Sequence, residues 1–322
     1  MKKVLVLMIS FLLLTSCFQK NENSEVFPSK DLHIIASASP GGGWDRTARS
    51  IKRVLSEAGI TKQSITVENK PGGGGEVGWR YLQNQNSNAI SVNSSLLLTN
   101  HLLGQSQLTY EDFTPLAILA TEWISVTVNK ESKIQTTSDL ISQLKRDPKS
   151  LKVGIAPGLG NGDQLSFVQI LKKAGVDPAD IDFVVYDSGG EIVNALLEGK
   201  IDVITTAVSE VEEHHQEGNL QILAVSSEKR IEGLEDVPTW TEEGIEIVFP
   251  HWRGIMGPPD MKDEEVSYWN DVIEEMVKTE EWKEILKNNE WNNFYKNSDQ
   301  AKEFLKEQNK LYYELLNDSG LL

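Results

Sequence analysis

Eight short runs of β-branched and other apolar residues punctuate the first three quarters of the chain: LHIIAS, SITVEN, AISVNS, WISVTVN, LKVGIA, IDFVVYD, IDVITTA and LQILAVS. Between several of them lie longer stretches whose apolar residues fall three and four apart: WDRTARSIKRVLSEAG, TTSDLISQLKRD, DQLSFVQILKKAG and GGEIVNALLEGK. Each has a Gly or Pro stop close behind. A side-chain period of two and a period of 3.6 cannot serve one element, so the alternation specifies strands and helices in turn. Strand followed by helix predicts an α/β protein with parallel or mixed sheets covered by helices. From Lys262 onward the chain turns charged and helical, with no strand expected. At 322 residues it exceeds what one core serves, so two domains are expected. No period of 20 to 50 residues is present, which excludes a solenoid.

In sheets of this kind ligands collect beyond the carboxyl ends of strands, where loops lead into helix N-termini. Four such turns are rich in glycine. The first, SASPGGGWDRTAR, places Ser39, Gly41, Gly42 and Gly43 before a helix opened by Trp44 or Asp45. Glycines let a ligand approach bare backbone, and the helix adds unpaired N–H donors and the positive end of its dipole. Asp45 reads either as an N-cap accepting from the Ala48 N–H or as a carboxylate that touches ligand. The second turn sets Pro71 and Gly72, Gly73, Gly74 and Gly75 before a short helix through Arg80. The third carries Gly158, Gly160, Asn161 and Gly162 ahead of a helix starting near Asp163. The fourth carries Ser188, Gly189 and Gly190. Glycine runs after a strand and before a helix, in consecutive units, point to binding of an anion such as a carboxylate, the alternative being flexible filler. Nucleotide phosphates fit poorly, because no turn carries the Lys and Ser/Thr that follow the last glycine of a P-loop.

Charge and cysteine usage narrow the partners. MKKVLVLMISFLLLTSC carries two lysines, an apolar run too short to span a bilayer, and then the chain's single cysteine, the pattern of an export signal over 1–17. Leu14, Thr15, Ser16 and Cys17 resemble a bacterial lipobox, so Cys17 is the expected lipidation site and a disulfide framework is excluded. An ordinary cleaved signal with an incidental cysteine is the alternative. Residues 18–30 read as a polar tether. The formal charge of -17 becomes -19 once Lys2 and Lys3 leave, which disfavours nucleic acid and anionic membrane surfaces as partners but not a small anion. There is no Gly-x-Ser-x-Gly elbow, no His-Glu-x-x-His and no Cys pair for metal, so neither catalysis, metal nor cofactor is expected. His214 and His215 diverge by about 100° on a helix and read as a solvated face. A secreted phosphate-handling enzyme is the disfavoured alternative class.

The ordered set PGGGWDRTAR, VENKPGGGGEVGWRYL, YEDFTPLAIL, APGLGNGDQL, VVYDSGGEIVNALLEGKIDV, LQILAVSSEKR, EDVPTWTEEGIEI and FPHWRGIMGPPDM resembles the extracytoplasmic solute receptors of the tripartite tricarboxylate transporters. The resemblance implies a two-lobed type II periplasmic-binding-protein fold, with crossing strands near Trp123–Val128 and Val248–Arg253. Domain 1 would comprise 31–124 plus 250–322, and domain 2 would comprise 125–249. It implies a monomer that traps a citrate-like di- or tricarboxylate between its lobes and delivers it to integral-membrane permease subunits. An amino acid, aromatic acid or other monocarboxylate is the alternative ligand. Ser39 to Asp45 and Gly72 to Gly75 would grip one carboxylate, with Gly158 to Asp163 and Ser188 to Gly190 opposite. Where the family commonly has His-Leu after the third loop, this chain has Gln164-Leu165. Arg253 suits a second carboxylate or, equally, a structural ion pair. Trp44, Trp79 and Trp252 either wall the cleft or lie in the core.

Overall fold

The computed structural model describes residues 27–156, 158–186 and 188–322. The expected export signal, Cys17 and most of the expected tether lie outside the described residues. The tether's last part behaves differently from expectation. Phe27 sets its ring edge-on against Tyr268 at 5.2 Å, and the Pro28 carbonyl accepts from Gln63 Nε2. An aromatic ring with an apolar neighbour in reach gains more by packing than by staying solvated.

The described residues form β1 (Leu32–Ala36), α1 (Gly43–Glu57), β2 (Ile65–Asn69), α2 (Glu76–Gln83), β3 (Ala89–Asn93), α3 (Leu96–Leu102), β4 (Thr114–Asn129), α4 (Thr137–Arg146), β5 (Lys152–Ile155) and α5 (Gly162–Ala174). They continue through β6 (Asp182–Val185), α6 (Gly189–Leu197), β7 (Val203–Ala207), α7 (Glu212–Gln216), β8 (Leu220–Val225), β9 (Pro250–Gly257), α8 (Asp263–Lys278), α9 (Glu280–Asn288), β10 (Asn292–Lys296) and α10 (Ser298–Asp318). The strand order is β2-β1-β3-β9-β4-β7-β5-β6, with β8 and β10 also paired to β4. β1 runs parallel to β2 and β3, and β5 runs parallel to β6 and β7.

β4 joins these two parallel groups. Thr114–Trp123 pairs antiparallel with β9, and Ile124–Val128 pairs antiparallel with β7. One long strand thus passes from one half of the molecule to the other, and β9 returns beside it. This is the two-lobed, crossing-strand α/β architecture.

Each half has its own core. Ile34, Ala48, Ile51, Ile90 and Trp269 belong to one cluster, while Val153, Phe167, Leu171 and Trp240 belong to another. A further cluster bridges them: Leu165 and Val168 of α5 pack with Phe304, Tyr312 and Leu316 of α10 and with Trp252. The amphipathic C-terminal helix therefore covers both halves. β10 was not expected. Its sequence, NNFYK, lacks apolar alternation, and it forms because β4 offers Thr121, Ala120 and Ile118 as pairing partners. Strand formation here is decided by the neighbour's free edge, not by propensity.

Candidate functional site

A cavity of about 610 Å³ lies between the carboxyl ends of β1 to β3 and those of β5 and β7. Ser39, Gly42, Gly43 and Trp44 from the first loop and Gly72, Gly74 and Gly75 from the second line one side of it. Asn161, Gly162 and Asp163 from the third loop and Ser188 and Gly189 from the fourth line the other, and Arg253 of β9 lies between. All four glycine turns thus reach one space. Gly41, Gly73, Gly158, Gly160, Gly190 and Asp45 are not among its lining residues.

The second loop needs glycine for steric reasons. Gly75 has φ +113°, and a Cβ there would enter the Trp79 indole ring. Trp79 itself is fully buried below the loop, 5.9 Å from Trp44, and Trp252 is a core residue bonded to the Tyr312 hydroxyl. Of the three tryptophans, Trp44 is the one that faces the cavity.

Neither sequence reading of Asp45 holds. Gly42 is the N-cap of α1, and Asp45 sits within the first turn. Its carboxylate, 3% exposed, reaches back to accept from the Gly41 N–H at 2.8 Å, Asn69 Nδ2 at 2.8 Å and Arg49 Nε at 2.9 Å. Burial pushes its pKa up, but Arg49, Gly41 and Asn69 together hold it below the usual value. Asp45 braces the loop against the end of β2 and does not reach the ligand space.

The caps of the flanking helices distinguish the two sides. α1 and α2 are capped by Gly42 and Gly75, and neither cap supplies a side-chain acceptor. The N–H groups of Gly43, Trp44 and Asp45 at the start of α1 have no protein partner, whereas the turn before α2 gives Glu76 and Val77 the Gly73 and Gly72 carbonyls as acceptors. On the other side Asn161 caps α5 by accepting from the Gln164 N–H at 2.8 Å, and Ser188 caps α6 by accepting from the Glu191 N–H. Gln164 accepts from the Gly160 N–H and stabilises the third loop from behind.

Arg253 is committed within the protein. Its Nε donates to Glu122 Oε1 at 3.0 Å and its Nη2 donates to the same oxygen. Its guanidinium lies 5.0 Å from the Trp291 ring, and Trp291 also bonds to Glu122. The side chains of Arg253 and Glu122 are 8% and 7% exposed. Burial opposes ionisation of Glu122, but Arg253 outweighs it and the carboxyl stays below its ordinary pKa. The structural ion pair is thus the role the geometry gives Arg253. Beside it, burial depresses His251 to about 4, so its ring is neutral at pH 7.

Sequence reasoning missed Arg46, Ser94, Ser95, Glu122, Glu210 and His251, all of which line the cavity. Three of these had a signal. Ser94 and Ser95 follow β3 directly, obeying the same strand-end rule, and Glu122 is the single charge inside the apolar run LAILATEWISVTV. Among the described residues no group of three or more His, Cys, Asp or Glu could hold a metal, and no helix is long and apolar enough to cross a membrane.

The family model described as tripartite tricarboxylate transporter family receptor matches residues 48–321. The chain belongs to this receptor family. A solved TctC solute-binding protein from Polaromonas is 26% identical, with a TM-score of 0.78 over 90% of this chain and 99% of that one. From Rhodopseudomonas palustris, Rpa4515 solved with adipate is 21% identical, with a TM-score of 0.76 over 91% and 98%. MatC from the same organism, solved with bound malate, is 19% identical, with a TM-score of 0.72 over 90% and 100%. Receptors of this family bind small carboxylates outside the cytoplasm and work with membrane permeases. They are transport proteins, not enzymes.

Proposed function

We propose that this receptor captures its carboxylate in the cavity between 31–124 with 250–322 on one side and 125–249 on the other, and presents the closed form to its permease. The observation that carries the reading is the capping contrast. The N-terminus of α1 offers unsatisfied donors beside the cavity, whereas α5 and α6 are capped by their own side chains. A carboxylate supplies the missing acceptors, and the two helix dipoles favour its charge. The free hydroxyls of Ser94 and Ser95 add donors on the same side. Closure then follows because a ligand touching both halves stabilises the closed shape by its differential contacts.

Adipate and malate in the structural neighbours support a small dicarboxylate more than a large acid. A citrate-like tricarboxylate needs further cationic grips. Of the two arginines lining the cavity Arg253 is paired, which leaves Arg46. Lipidation of Cys17, a monomeric state and attachment to the outer face of the membrane complete the proposal. The experiment is a thermal-shift panel of mono-, di- and tricarboxylates on the purified protein. At least one member should raise the melting temperature, and no shift with any of them would refute the reading.

A further inference from the structure

The half of the cavity opposite α1 and α2 has reversed polarity. Glu210 lies against Gly189, where a Cβ would come within 2.7 Å of its carboxyl carbon and 2.8 Å of its Oε2. The N-terminus of α6 is therefore already faced by the protein's own carboxylate, an arrangement the helix dipole favours. Asp163, in the first turn of α5, is 6% exposed and lines the cavity. Its carboxyl takes a hydrogen bond from the Ala156 backbone, and its charged neighbours are Glu122 and Glu210. Burial, with those two carboxylates, pushes its pKa well above the ordinary value. Facing it across the same space are Glu122 of β4, Glu210 after β7, and His251 and Arg253 of β9. His251 is neutral at pH 7 and Arg253 is bound to Glu122. Apart from the Glu122–Arg253 pair, two carboxyls, Asp163 and Glu210, line a space with one uncommitted guanidinium, the exposed Arg46 on the far side.

On the reading of this cavity as the ligand site, we propose that the ligand carries a carboxylate at one end and an ammonium or quaternary ammonium group at the other. The carboxylate lies against the N-termini of α1 and α2, and the cation lies against Asp163 and Glu210. A ligand with anions at both ends sets a carboxylate beside Glu210 in a partly dehydrated space, where like-charge repulsion is strong. A cation at that end is attracted instead, and it turns Asp163 into a specificity-determining residue. Its arrival also favours the ionised form of Asp163, so binding releases a proton.

Three ligand pairs that differ by one terminal ammonium test this by calorimetry at pH 7: propionate and β-alanine, butyrate and γ-aminobutyrate, valerate and 5-aminovalerate. The ammonium-bearing member of a pair should bind at least tenfold more tightly. Asp163→Asn, whose amide oxygen still accepts from Ala156, should remove most of that preference and leave affinity for the plain acid little changed. Wild type should release protons on binding the ammonium-bearing member, seen as a buffer-dependent heat that Asp163→Asn lacks. Glu210→Gln should weaken the same preference and provides the readout should Asp163→Asn fail to fold. If the plain acid of every pair binds as well as its partner, the proposal is overturned while the carboxylate-receptor reading stands. A full preference retained in both folded variants also overturns it. If none of the six, nor adipate or citrate, binds at all, the receptor site reading falls and takes this proposal with it.

Discussion

Replacing Arg253 by Met separates a ligand grip from a structural pair. In the wild type two N–H groups of the guanidinium converge on Glu122 Oε1, and both side chains are almost fully buried. Arg253→Met leaves that carboxylate buried without its counter-ion, which costs about 3–5 kcal/mol. Loss of the guanidinium from the face of Trp291 adds about 1 kcal/mol. In a chain of this size the combined loss lowers the melting temperature by on the order of 10 °C. Glu122→Gln in the same chain removes the stranded charge, so Arg253→Met with Glu122→Gln should recover most of the loss. The assay is urea and thermal unfolding of the four members of the cycle at pH 7. A cost below about 1 kcal/mol for Arg253→Met, or a double variant no more stable than the single one, would refute the buried-pair account.

Gly75→Ala forces a Cβ into the Trp79 ring at a left-handed φ, and should cost about 2–4 kcal/mol in unfolding experiments and weaken ligand binding together with it. Asp45→Ala removes the acceptor of three hydrogen bonds that hold the first loop, so carboxylate affinity should fall by roughly tenfold or more although Asp45 does not line the cavity, as calorimetry would show. His251 is neutral in the folded protein down to about pH 4, whereas the unfolded chain protonates near 6.5. Its contribution is therefore present above pH 6.5 and is lost as pH falls towards 4, by about 3 kcal/mol. His251→Gln should flatten that part of the stability–pH profile measured by urea unfolding. Cys17→Ala should release the protein from the membrane fraction of the producing cells.

What the sequence revealed follows from the range of the interactions involved. The eight strands and the glycine turns were legible because period and loop chemistry are local: LHIIAS and PGGGWDR carry their own evidence. The role of Asp45 was not, since Asn69, the partner that turns it inward, lies 24 residues away. Arg253 was left between two roles for the same reason, with Glu122 separated from it by 131 positions. β10 escaped notice because NNFYK becomes a strand only beside β4. Glycine in the third and fourth loops suggested a second anion grip. The deciding residues there are Asn161 and Ser188, which satisfy their helices themselves, and Glu210, which comes from a different strand end.

The central claim is that the uncapped backbone at the start of α1 binds the ligand carboxylate. Amide hydrogen exchange, with and without a carboxylate that raises the melting temperature, measures this at the N–H groups themselves. Strong protection at Gly43 to Asp45, with weaker protection at the starts of α5 and α6, is the expected result. Protection confined to α5 and α6, or absent from the start of α1, would contradict it.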